Sequence, residues 1–92
     1  MTDTLDRAAV ERELRSMIAE AARLEPAVVA ELPADTDLFG PEIALTSLAG
    51  VTLLGAVDAR FGVDVAMLDL SLDSLQSIAT LADFVAAHLQ DR

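Results

Sequence analysis

The stretch "LTSLAGVTLLGAVDARFGV" (45–63) reads as one helix with a marked start and a marked stop. Ser47 suits the N-cap position and Gly62 the position just past the end, so the pattern predicts a helix over 48–61. Leu53, Val57 and Phe61 recur every four residues and mark the face to be buried. Leu48, Val51, Leu54 and Gly55 fall on other faces, so the helix is apolar around much of its girth. In a water-soluble chain such a helix buries one side and offers an apolar surface, open to a partner, on another. Gly50 and Gly55 each weaken the helix by up to about 1 kcal/mol relative to alanine. Their missing side chains serve either tight packing or the close approach of a ligand or partner.

Upstream, Leu5, Val10, Leu14, Met17, Ile18 and Ala21 recur at helical spacing, with charged residues filling much of the opposite side. This predicts a helix over 4–23, capped by Asp3 or Thr4 and ended near Leu24 by Pro26. Between it and the central helix lies "EPAVVAELPADTDLFGPEIALT" (25–46), which holds all three prolines. It reads as a long connection with one helical turn at 26–32, opened by Pro26. Long connections in compact domains are often functional. Leu32, Leu38, Phe39 and Ile43 are expected to pin this one to the core. Downstream, 63–76 reads as an extended start followed by a short helix around 71–75. Residues 77–89 form the last helix, capped by Ser77, with Ile78, Leu81, Val85 and Leu89 as its stripe. The expectation is an all-α fold: three main helices, a short one, and a long loop between the first and second.

Composition narrows the function classes. Sixteen acidic against six basic residues give a formal net charge of -10, and every basic residue is an arginine. Such a charge argues against nucleic acid and anionic membrane, and favours partner proteins with basic faces. A hydrophobic fraction of 53% with only three aromatic residues, all Phe, suits an aliphatic helical core. The absence of cysteine excludes disulfides and thiolate metal sites, so any thiol chemistry must come from an added group. The best apolar run, 48–57, is too short to span a bilayer, and the charged N-terminus lacks an apolar signal core. A soluble, cytoplasmic, monomeric chain forming a single domain over 1–92 is expected.

Three candidate chemistries can be weighed on residues alone. A Ser–His couple of Ser47 with His88 lacks an orienting third group, and "TSLAG" is not the Gly-x-Ser-x-Gly elbow. "DTDLFG" (35–40) opens like a calcium loop, but Phe39 and Thr46 stand where oxygen ligands belong, so no metal site is expected. Ser47, read alone, is a helix cap.

In context, the chain resembles the acyl and peptidyl carrier proteins, small helical bundles modified with 4′-phosphopantetheine. The resemblance covers about 8–89. It rests on "ADTDLFG" ending the first loop, "LTSL" opening the central helix, "LLGAVDARFGVDV" closing it, and "LQSIATLADFVAAHL" as the last helix. The family's modified serine lies in an Asp-Ser-Leu signature at the head of that helix. The literal Asp73-Ser74-Leu75 is followed by only three residues before the last helix, so the matching site is Thr46-Ser47-Leu48. The resemblance implies a four-helix carrier-protein bundle with the arm on Ser47, supplied from coenzyme A by a phosphopantetheinyl transferase. It also implies a loading enzyme and downstream biosynthetic enzymes as partners, and no catalysis by the chain itself.

Thr46 stands where the family has Asp, which bears on which transferase acts. Thr-Ser here is similar to some carriers of secondary metabolism and to aminoacyl carriers. Residues 48–61 carry only Asp58 and Arg60 as charges, so docking at this helix is expected to be apolar, beside Thr46, Leu48, Val51 and Leu54. Charge steering would come from the loop, through Glu25, Glu31, Asp35, Asp37 and Glu42. The alternative is a small helical protein–protein interaction module that is never modified.

Overall fold

The computed structural model describes residues 6–90. The described chain is helical. α1 spans Arg7–Ala22, α2 Pro26–Ala30, α3 Ser47–Phe61, α4 Val65–Leu68 and α5 Ile78–Gln90, with a 3-10 turn at Asp73–Leu75 between α4 and α5. The three long helices and the long connection between the first two are those the sequence predicts.

α1 forms because Val10, Leu14 and Ile18, four residues apart, are fully buried on one stripe. Its cap is Asp6, whose carboxylate accepts the Ala9 amide at 2.8 Å. Asp3, Thr4 and Leu5, expected in the cap and stripe, lie outside the described residues. The helix stops at Arg23, which adopts the left-handed conformation at φ 61. The Arg23 amide reaches the Glu20 carbonyl and the Leu24 amide reaches that of Ala19 at 2.8 Å, closing the end. Glycine is the usual residue here, because a side chain in this conformation costs roughly 1–2 kcal/mol.

Pro26 opens α2 as expected, and Val29 is its buried residue. Arg15 of α1 donates to the Val29 and Leu32 carbonyls at 2.8 and 2.7 Å, tying the two helices together. The same guanidinium pairs with Glu11 at 2.7 Å, and Arg7 reaches both Glu11 and Asp83 of α5. The long connection has no helix after α2, yet its carbonyls have work. Ala34 and Thr36 accept the Ala79 and Ile78 amides, two of the donors that the start of α5 cannot satisfy internally. Ser77 and Thr80 cap the same end reciprocally, each hydroxyl accepting the other's amide.

The core joins Val10, Leu14 and Ile18 of α1 to Leu53, Val57 and Phe61 of α3 and Ile78, Leu81 and Val85 of α5. Leu38 and Ile43 pin the loop as predicted, and Leu45 joins them. Phe39 departs from expectation: it is half exposed and lies over Gly50, where an added Cβ would stand 3.7 Å from its ring. Residues 63–76 also depart. Asp64 caps a helix at Val65–Leu68 where an extended start was expected, and the expected helix at 71–75 is only the 3-10 turn. A buried Val65 and the Asp64 side chain on the Met67 amide explain the earlier helix.

Replacing Leu53 by alanine leaves a cavity in this core and is expected to cost ~2–5 kcal/mol in denaturant unfolding, against within about 0.5 kcal/mol for Leu48→Ala on the surface. Acid should weaken the fold through Glu11. Hydrogen bonds from Arg15 first, then Arg7, hold its carboxyl below the ordinary value of 4.5. A carboxylate depressed in the folded state adds stability that is fully present above its unfolded value and is lost as the pH falls through the folded one. Thermal midpoints are therefore expected to drop as the pH falls below 4.5. In Glu11→Gln that drop should be shallower, from a lower starting midpoint at neutral pH.

Candidate functional site

Ser47 is the first residue of α3 and not its cap, which corrects the expectation. The cap is Thr46, with extended backbone at φ -84 and a hydroxyl that accepts the Ala49 amide at 3.0 Å. Serine and threonine both serve this role, so adjacent candidates differ only in where the helix begins. The helix begins one residue early because Thr46 holds the cap, while the core fixes its rotation: Gly50, Leu53, Val57 and Phe61 face inward, and Leu45 is buried just before the start. The consequence is chemical. The Ser47 hydroxyl is exposed and bonds to no described residue.

The surroundings suit an anion. The first amides of a helix have no partner within it and sit at the positive end of its dipole. The first turn of α3 carries no acidic residue to oppose that field. The neutral Thr46 cap leaves the field intact, where an aspartate cap would offset part of it.

Leu48 and Val51 stand out into solvent, 77% and 67% exposed. Leu54 does not. It is partly buried against the core, at the core's rim. Thr46 is exposed, but its hydroxyl is committed to the cap. Thus Thr46, Ser47, Leu48 and Val51 share one exposed end of α3, and Leu54 is turned inward. Gly50 is buried beneath Phe39, where an added Cβ would meet the ring at an ordinary contact distance of 3.7 Å, whereas nothing lies within 4 Å of a Cβ added at Gly55.

Ser74, the better-spelled alternative, is sealed. It is 6% exposed, its amide donates to Asp69 at 2.8 Å, and its hydroxyl oxygen is buried with no hydrogen-bond partner. That same amide is the main reason the Asp69 carboxyl titrates below its ordinary value. His88 is held on its own helix, its Nδ1 2.9 Å from the Phe84 carbonyl and its ring against Phe84. Asp37 of the calcium-like loop is drawn into a bridge with Ser77. Among the described residues no three His, Cys, Asp or Glu side chains gather as a metal site, and no helix is long and apolar enough to cross a membrane.

Sequence reasoning missed one apolar surface. Met67, Leu68, Leu70 and Leu72 are all exposed, Leu70 at 88%. The alternation of Leu68, Leu70 and Leu72 with Asp69, Ser71 and Asp73 is a pattern that usually marks a half-buried strand. It could have flagged the segment, though not that its apolar side faces solvent.

No curated protein and no solved structure matches the chain. The family described as "PP-binding: Phosphopantetheine attachment site" matches residues 12–85. That span takes in α2, α3, α4, the long connection and most of α1 and α5, including the exposed serine at the head of α3. The chain therefore belongs to the phosphopantetheine-attachment family of acyl and peptidyl carrier domains, the non-catalytic carriers to which 4′-phosphopantetheine is covalently joined.

Proposed function

We propose that Ser47 carries the prosthetic arm and that the chain is a monomeric carrier in a secondary-metabolite pathway. It would hold an acyl, aminoacyl or polyketide intermediate for a loading enzyme and downstream enzymes. The observation that carries this reading is the contrast between two serines: Ser47 is exposed and relieved of capping by Thr46, whereas Ser74 is buried.

The residues fit the group. Attachment joins the Ser47 oxygen to the pantetheine phosphorus of coenzyme A, and the bond from that phosphorus to the 3′,5′-ADP oxygen breaks. The hydroxyl proton passes to a base on the transferase, so the carrier needs none of its own. The product is a phosphodiester anion at the start of α3, where unpartnered amides and the dipole favour negative charge. The arm brings the thiol that a cysteine-free chain lacks, and a thioester on it holds the cargo. Leu48 and Val51 flank the attachment point and give partner enzymes an apolar footing.

Intact mass after incubation with coenzyme A, Mg²⁺ and a broad-specificity transferase should show one added arm. Ser47→Ala should abolish the addition and Ser74→Ala should leave it. An arm that persists in Ser47→Ala defeats the assignment, and no arm with any competent transferase favours the unmodified interaction module. Thr46 has a separate signature. Thr46→Ala should cost ~0.5–2 kcal/mol of stability through loss of the cap, while Thr46→Asp keeps it. Thr46→Asp, which restores the family's usual residue, should also speed loading by that broad-specificity transferase in a timed mass assay.

A further inference from the structure

The C-terminal end of α1 and the first turn of α3 border a groove of ≈ 370 Å³. Thr46, Leu48 and Ala49 line it from the α3 side, and Glu20, Ala22 and Arg23 from the α1 side. Its walls therefore include both sequence neighbours of Ser47.

Arg23 is the unusual member. In a chain of net charge -10, arginines find carboxylates easily. Arg7 pairs with Glu11 and Asp83, Arg15 with Glu11, and Arg60 with Glu13. Arg23 pairs with no described carboxylate, although Glu20 lines the same groove. Arg12 is the other uncommitted arginine among the described residues, and it borders a different pocket, beside Ala8 and Ala30. Arg23 also occupies a left-handed position that glycine would fill without strain. Its backbone is thus the wrong one for its residue type, and its side chain is free.

Resting on the assignment of the arm to Ser47, we propose that Arg23 is a built-in counter-ion for the arm's phosphodiester. When no partner holds the arm, Arg23 draws its first segment across the head of α3 into this groove. A phosphodiester is anionic at every physiological pH. A guanidinium is always cationic and offers a planar fork of donors that fits two phosphate oxygens. Beyond the phosphate, the arm's geminal methyl groups meet the small apolar side chains of Ala22 and Ala49. Glu20 opposes the phosphate from the same wall, so the groove is a resting place from which a partner can lift the arm.

The test uses the chain loaded by transferase, with intact mass and the Ser47→Ala control read first. Phosphorus NMR should then show a phosphodiester resonance displaced in the loaded wild type relative to loaded Arg23→Gln. Raising salt from about 0.01 M to 1 M shortens the screening length roughly tenfold and should collapse the difference. Nuclear Overhauser contacts between the arm's geminal methyls and the Ala22 and Ala49 methyls should be present in the wild type. They should be lost in Arg23→Gln, retained in part in Arg23→Lys and strengthened in Glu20→Gln. Arg23→Gly removes the charge while relieving the backbone, so it folds and should lose the contacts as Arg23→Gln does. A resonance and contacts that are the same in wild type and Arg23→Gln overturn the proposal while leaving the attachment standing. A chain that takes no arm on Ser47 overturns both, and the mass measurement tells the two failures apart.

Discussion

The start of α3 is set by two constraints that agree. Leu53, Val57 and Phe61 must face α1 and α5, which fixes the rotation of the helix. The Thr46 hydroxyl accepts the Ala49 amide at 3.0 Å, which fixes the residue from which it begins. Shift the cap by one residue and Ser47 would spend its hydroxyl on the backbone. Rotate the helix by one position and Leu53, Val57 and Phe61 would leave the core. The features of the candidate site follow from this registration: an uncommitted hydroxyl, unpartnered amides and an apolar shoulder at Leu48 and Val51.

The rest of the fold holds that helix end still without enclosing it. The core is mostly aliphatic, with Phe61 among it, and contains no disulfide, so its strength comes from close packing of its side chains. The long connection contributes few buried residues but supplies carbonyls to the start of α5 and anchors at Leu38, Ile43 and Leu45, just ahead of Thr46. Arg15 and Arg60 pin α1 to α2 and to α3 respectively. Most of the exposed large apolar residues are thus left on the outside of α3 and around α4, with Val28 and Phe39 besides, on a frame that does not need them. Such surface is costly to leave in water unless a partner covers it at intervals.

Much of this was legible in the residues because the signals were local. The stripe of Val10, Leu14 and Ile18, the proline at 26 and the glycine at 62 each mark an element by chemistry within one turn. The cap of α3 was misplaced by one residue because threonine and serine are both good caps, and only tertiary packing chooses between neighbours. Leu54 was expected beside the docking surface, and its partial burial depends on elements distant in sequence. Residues 68–73 carry a strand-like alternation, yet α4 and the 3-10 turn hold them against no sheet among the described residues. The groove at Arg23 was beyond reach, since it exists only where the end of one helix meets the start of another. Its one local trace was an arginine, and no glycine, at the point where α1 stops.

The central claim is that the arm sits on Ser47. The placing of the arginines makes this directly measurable on protein isolated from its native host. Cleavage after arginine releases Leu24–Arg60, which contains Ser47, separately from Phe61–Arg92, which contains Ser71, Ser74 and Ser77. Tandem mass spectrometry of the two peptides, with cargo still attached, should find phosphopantetheine on Leu24–Arg60 alone, localised to Ser47. Finding it on Phe61–Arg92 would contradict the account.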